Sequence, residues 1–227
     1  DDVITRVKVV TGDTLALLDT TGTLTQKFQA RLIPGETDAE LIADTDTELM
    51  RPFVQSNIDL ARVASPVSHP QPGQLLTIRE IFQRLSSLVG ASFPDIGYDQ
   101  ERNRGAALHR LACQCLGYAD YRDHGQFPDI RHQLLEVKLQ TSPTIDLGLV
   151  CPDSEEALDV PKLEGHQIRH CDVRYAIFYA VTDGVNVTLT HLFLSTCETF
   201  FSRFPQFQGN VLNKKLQIPL PADFFDE

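Results

Sequence analysis

The sequence predicts an α/β sandwich: a mixed β-sheet flanked by helices, preceded by a small β-rich N-terminal subdomain. Three observations carry that prediction. Residues 3 to 32 alternate apolar and polar side chains in short runs broken by turn signals, two well-capped helical patterns follow from Leu75, and a succession of strand-like runs closed by a short helix fills the remainder.

The first thirty residues divide into "VITRVKVV", a Gly12-Asp13 turn, "TLALLD", a turn closing at Gly22, and "TLTQKFQARL", which predicts three strands with one buried face. A modest helix is expected at "DAELIAD", then irregular chain from Met50 to Val63. "ASPVSHPQPGQ", residues 64–74, holds three prolines and a glycine and predicts a linker. The expected organisation is a β-rich subdomain over 1–63, this linker, and a larger domain over 75–227.

Within the larger domain, Thr77 with Glu80 three residues later is a capping box. Ile78, Ile81, Phe82, Leu85 and either Leu88 or Val89 then fall on one helical face, and Gly90 ends the helix. A second helix is expected in "DQERNRGAALHRLACQCLG", with Asp99 near its start, Leu108, Leu111, Ala112, Cys115 and Leu116 inward, and Gly117 at its end. "QFPDI" and "QLLEVKLQ" are expected to pair as a hairpin, with "IDLGLV" as a third strand. "RYAIFYAVT" and "VNVTLTHLFL" form a hairpin across Asp183-Gly184, and "CETFFSRF" a short helix that Pro205 stops.

Composition narrows the function classes. With 42% hydrophobic residues in 227, the chain can bury a real core. The apolar run "AIFYAV" is far shorter than the ~18 residues of a membrane span, so no bilayer crossing is expected. The chain opens on Asp1 and runs straight into a strand-like segment without a signal-peptide pattern, which suggests a piece processed or excised from something longer. Five cysteines, an odd number with no paired framework, read as reduced thiols in a cytoplasm. Cys113 and Cys115, with His166, His170 and Cys171 elsewhere, lack zinc spacing and read as one buried thiol and surface histidines.

The net charge of −11 argues against a nonspecific coat on nucleic acid while leaving room for a local basic cleft. Acidity is shared: 6 basic and 11 acidic residues precede Leu75, and 14 and 20 follow from it, so bulk charge singles out neither half. No phosphate-cradling glycine loop occurs, and no nucleotide cofactor is expected.

The chemistry concentrates in "FPDIRHQLLEVKLQ". In its strand Leu135, Val137 and Leu139 share one face while Glu136, Lys138 and Gln140 share the other, so an acid and a lysine project side by side. With Asp129 on the partner strand of a tight hairpin, two carboxylates meet and repel unless a cation sits between them. A magnesium ion typically uses one or two carboxylates plus phosphate and waters, and Asp129, Glu136 and the Val137 carbonyl would supply protein ligands. Lys138 would then hold the attacking water or neutralise charge building on phosphorus. Of the six lysines only Lys138 has an acid two residues earlier. The rival reading makes Glu136 and Lys138 a cross-strand ladder on a solvated face, worth only ~0.2–1 kcal/mol per pair.

Pro128-Asp129, six intervening residues and Glu136-Val137-Lys138 resemble the PD-(D/E)XK nuclease superfamily, and within it the type II restriction endonucleases. The spacing and the preceding helix are also similar to those of the mismatch-repair nicking endonuclease. The resemblance extends from about Leu75 to the C-terminus and implies a restriction-endonuclease-like sheet. It further implies Mg2+-dependent hydrolysis of double-stranded DNA to 5′-phosphate and 3′-hydroxyl ends, usually by a homodimer. The alternatives are a repair or recombination nuclease of the same fold that recognises DNA structure, and a non-catalytic DNA-binding domain.

Some members of the family carry a further glutamate on the helix before the motif. Here His109 stands at the aligned position and Glu101 is the nearest acid toward the helix start. His109 would bind water or phosphate, or be an ordinary helix-surface histidine; Glu101 would be an accessory ligand, or a first-turn glutamate favoured by the helix dipole. Gln140 would touch the scissile strand or simply finish its own. Arg102 and Arg104 are candidate phosphate contacts, and Arg203 with Asn210, Asn213, Lys214, Lys215 and Gln217 a candidate DNA-reading segment, its path extended by Pro219 and Pro221.

Overall fold

The computed structural model describes residues 28–32, 37–63, 65–96, 100–148 and 150–207, together with positions 4, 6–11, 14, 18, 220, 221 and 223–225. In chain order the strands are β1 Phe28–Arg31, β2 Ala39–Leu41, β3 Val54–Gln55, β4 Leu75–Leu76, β5 Ser92–Pro94, β6 Leu135–Gln140, β7 Thr144–Gly148, β8 Arg174–Thr182, β9 Asn186–Thr196 and β10 Gln206–Phe207. The helices are α1 Leu60–Val63, α2 Ile78–Ser86, α3 Gln100–Leu116 and α4 Phe200–Arg203.

The β8–β9 hairpin is the centre of the fold. Its turn is held by the Asp183 carboxylate, which accepts from Val185 N (2.8 Å) and Asn186 N (2.7 Å), and by Gly184 at φ +86. β8 carries an almost unbroken apolar run because both of its faces are covered. Ala176, Phe178 and Ala180 pack with Ile78, Ile81 and Leu85 of α2 and Leu108, Ala112 and Leu116 of α3. The alternate residues Tyr175, Ile177 and Tyr179 pack with β1, β7, Phe200 of α4 and Phe204 just after it. The central sheet runs β2-β9-β8-β6 with β5 also on β9, and a second sheet runs β10-β1-β7. Pairing is mixed: β8–β9 and β5–β9 are antiparallel, β6–β8 and β2–β9 parallel. The mixed α/β architecture expected from the sequence is therefore present.

Local signals held well in the helices. Thr77 Oγ1 accepts from Glu80 N (3.2 Å) at the start of α2, and Gly117 at φ +94 follows α3. The thiol that α3 turns fully inward is Cys113, with Cys115 half-buried, so the helix is rotated slightly from the expected face. Three cysteines are buried, not one: Cys113, Cys171 and Cys197.

The N-terminal stretch departs most from expectation. "DAELIAD" is not helical; its residues Ala39 to Leu41 form β2, parallel to Leu192–Leu194 of β9, because the edge of a large sheet outcompetes the weak propensity of a seven-residue helix. Thr14 and Leu18, expected in a strand, are helical, in keeping with a segment rich in Leu and Ala. Positions 6–10 are described without strand pairing, while the Gly12-Asp13 turn and Gly22 lie outside the described residues. Where a separate β-rich subdomain was expected, β1 pairs antiparallel with β7 while β2 and β3 run parallel to β9 and β4, so these three early strands are hydrogen-bonded to strands beyond residue 74. The proline-rich stretch is seated: Pro66 and Pro70 are buried, and Pro66 O accepts from His132 N (3.0 Å).

One buried charge joins these parts. The Arg174 side chain is fully buried and donates from Nε to Asp46 Oδ1 (2.6 Å), from Nη1 to Gln133 O (2.7 Å) and from Nη2 to Leu76 O (3.0 Å). Asp46 Oδ2 in turn accepts from Ile78 N (2.9 Å) at the start of α2.

Candidate active site

A tight reversal, not a hairpin, brings the acids together. A short 3-10 turn over Arg131–Gln133 is followed by Leu134 in the left-handed region at φ +48, and the only ladder contact between "QFPDI" and β6 is the Ile130↔Leu135 bridge. The expected strand before the turn is absent because Pro128 lacks an N–H and the 3-10 turn consumes the residues that would extend the ladder. A non-glycine residue at positive φ is uncommon, and the full burial of Leu134 in the second core cluster supplies the packing that holds it there.

Side chains extend the pairing that the backbone does not. Asp129 N donates to Glu136 Oε2 (3.1 Å), and Val137 N donates to Asp129 Oδ2 (3.0 Å). The Asp129 carbonyl accepts from Gln126 Nε2 (3.2 Å), which steadies the loop. Lys138 Nζ lies 3.3 Å from Glu136 Oε1, as the alternation along β6 predicted. Because β6 is an edge strand paired with β8 on one side only, the Val137 N–H that reaches Asp129 projects from the open edge, and the carbonyl of an extended residue projects with its N–H. The Val137 carbonyl thus shares that edge with the Asp129 carboxylate.

Burial and mutual repulsion set the electrostatics. The Glu136 side chain is only 11% exposed. Burial raises both carboxyls above their ordinary range, and the Asp129 charge pushes Glu136 further, while Lys138 and the backbone N–H donors pull the other way. Two buried acids sharing one lysine form a site that favours a cation. Among the described residues no group of three His, Cys, Asp or Glu side chains is arranged around a metal position. A magnesium ion does not require three, since two carboxylates, a carbonyl, waters and phosphate complete its shell. The donor set is all oxygen, and the residues present fit that ion.

The raised carboxyls have a stability consequence. A folded-state pKa above the unfolded one means the native protein keeps protons that the unfolded chain has released, so stability falls as pH rises from about 4 through the raised values. Glu136→Gln removes one of the competing charges and keeps an acceptor for Asp129 N. The variant should melt above wild type at about pH 8 and close to it at about pH 4, and added Mg2+ should raise wild type more than the variant. Thermal melts across pH with and without Mg2+ check this; a variant that melts lower at the alkaline end would contradict the cost of burying the pair.

A cleft of about 530 Å³ runs along the open edge of β6 toward α3, lined by Asp129, Glu136, Val137, Lys138, Gln140, Glu101, Arg102, Arg104 and His109. Nine residues singled out in the sequence thus meet in one depression. Two of them, Arg104 and His109, differ from expectation, as does Arg203 outside the cleft. Arg104 is not free for phosphate: it makes paired bonds to Asp95, Nε to Oδ1 at 2.7 Å and Nη2 to Oδ2 at 2.6 Å, and Asp95 also accepts from Thr182 Oγ1 (2.8 Å). His109 is not at the helix surface but buried, its Nε2 3.3 Å from Arg122 O and 3.5 Å from Cys113 Sγ, with Nδ1 buried and without a hydrogen-bond partner among the described residues. Arg203 stands away from the cleft, bonded through Nε to Glu40 Oε2 (2.9 Å) and lying over the Phe193 ring at 5.1 Å, where it ties α4 to β2. Asn210, Asn213, Lys214, Lys215 and Gln217 lie outside the described residues.

The sequence reading missed Asp146. It lies on the exposed face of β7, and both the cleft and a second cavity beyond Lys138 include it with Glu136 and Lys138 in their walls. An acid in a strand-like run was the available signal, but only the placement of β7 decides which site it faces. Together the cleft acids Glu101, Asp123, Asp129, Glu136 and Asp146 outnumber its cations, so a polyanion enters only with counter-charge.

Among the described residues no helix is long and apolar enough to cross a membrane. No protein-family model, curated protein or solved structure matches the chain.

Proposed function

We propose that this protein is a Mg2+-dependent endonuclease of the type II restriction kind, cutting double-stranded DNA at specific sequences to 5′-phosphate and 3′-hydroxyl ends as a homodimer. The observation that carries the reading is the reciprocal locking of Asp129 and Glu136 with Lys138 at 3.3 Å on the open edge of one strand. Asp129, Glu136 and the Val137 carbonyl would hold Mg2+, which when bound polarises a phosphate oxygen and acidifies a water. Lys138 donates a hydrogen bond to the attacking water, favours its hydroxide form and offsets negative charge on phosphorus as the new O–P bond forms and the P–O3′ bond breaks. The Val137 N–H keeps the Asp129 carboxylate oriented, and Gln126 holds the main chain that carries it through the Asp129 carbonyl. Arg102, exposed at the cleft rim, is the remaining arginine of the pair assigned to phosphate.

A second reading, a nuclease that recognises DNA structure, is favoured by one feature: the second cavity that adjoins Lys138 is walled by aromatic rings. Digestion of long duplex DNA separates the two, since discrete bands mark sequence recognition and a requirement for mismatches, branches or ends marks structure recognition. The same digest with Mg2+ omitted, and with Asp129→Ala, should leave the DNA intact. Cleavage without divalent metal, or undiminished cleavage by the variant, would overturn the assignment.

A further inference from the structure

We propose that the second cavity is a nucleobase pocket, in which a base unstacked from the DNA strand lies against Phe127 while the neighbouring phosphate meets Glu136 and Lys138. The inference rests on the nuclease reading and names the form in which the substrate is taken. The cavity has a volume of about 560 Å³, room for a nucleotide, and its walls include Phe127, Tyr175, His170 and Leu147 beside Glu136 and Lys138. It shares Glu136, Lys138 and Asp146 with the cleft, so a ligand with one group at Lys138 can extend another into it.

The platform is already built. Phe127 lies nearly parallel to the His170 imidazole, 5.5 Å between centroids at 21°, and against Tyr175 at 6.3 Å and 48°, so its ring is oriented before any ligand arrives. Yet Phe127 remains 38% exposed, an aromatic surface left open two residues from a catalytic carboxylate. Burial holds His170 toward its neutral form, which keeps the stacked pair uncharged. Gly148, also in the wall, adopts φ +79, and among the described residues no atom beyond its chain neighbours lies within 4 Å of the position a Cβ would take. A flat π-surface a short distance from a phosphate-binding lysine matches one ligand class, a nucleotide. Since extracting a base is easiest where pairing is absent or weakened, single strands, mismatches and ends should enter most readily.

Binding of the full-length chain in Ca2+ to two labelled strands of equal length tests this, one of oligothymidine and one of abasic deoxyribose-phosphate. Wild type should prefer the strand with bases by about 5- to 150-fold, the stacking of one base. Phe127→Leu, similar in volume but not aromatic, should remove the preference, and Phe127→Tyr should restore it. If wild type cuts DNA in Mg2+ yet binds both strands alike, or if Phe127→Leu keeps the preference, the pocket assignment is wrong and the nuclease reading stands. If wild type neither binds nor cuts DNA, both fall together.

Discussion

Lys138→Met is expected to lower Mg2+-dependent DNA cleavage by about 10²–10³-fold, the range seen when one donor to a developing oxyanion is lost. The ammonium lies 3.3 Å from Glu136 on a side chain 22% exposed, close enough to the acids to act at the same phosphate and open enough to meet water. Its removal takes away a hydrogen-bond donor and a positive charge that act on the transition state more than on bound DNA, so single-turnover rates should fall while affinity changes little. Arginine should rescue poorly, since its planar fork does not reproduce a compact point charge. Cleavage within a few-fold of wild type would make Glu136 and Lys138 a charge ladder. The variant should also lose stability toward alkaline pH, because the Asp129–Glu136 pair then has no cation, and Mg2+ should restore it.

The largest effect on folding is expected at Arg174, 36 residues beyond that lysine. Arg174→Met should cost about 3–5 kcal/mol, because it strands the buried Asp46 carboxylate and leaves the Gln133 and Leu76 carbonyls without their donors. For a chain of 227 residues that corresponds to a melting shift of roughly 6–20 °C. Urea denaturation measures it directly. Adding Asp46→Asn removes the stranded charge and preserves an acceptor for Ile78 N, so the double variant should recover part of the loss. A single variant as stable as wild type would mean that this buried pair does not join the N-terminal segment to the sheet.

The helices and the central hairpin were legible because their signals are local. Thr77 with Glu80, the terminal Gly117 and the Asp183-Gly184 turn act within a few residues of where they stand, as does the alternation that puts Glu136 beside Lys138, whereas α2 ends at Ser86, ahead of the expected Gly90. The same locality explains the misreadings. Ala39–Leu41 looks helical by itself and becomes a strand only because β9 offers an edge more than 150 residues later. Arg104 resembles a phosphate contact until Asp95 is placed against it, and His109 a surface residue until the loop at Arg122 covers it.

By itself, then, the sequence determined helices α2, α3 and α4, the hairpin at the centre and the identity of the acid-x-lysine strand, all encoded in local spacings. Tertiary structure alone decided that Asp129 reaches Glu136 through a 3-10 turn, that Asp146 and Phe127 adjoin them, and that the early strands belong to sheets completed far along the chain. The physical reason is that strand partners and cavity walls are chosen by which apolar faces cover one another once the chain closes, and no local period records that choice.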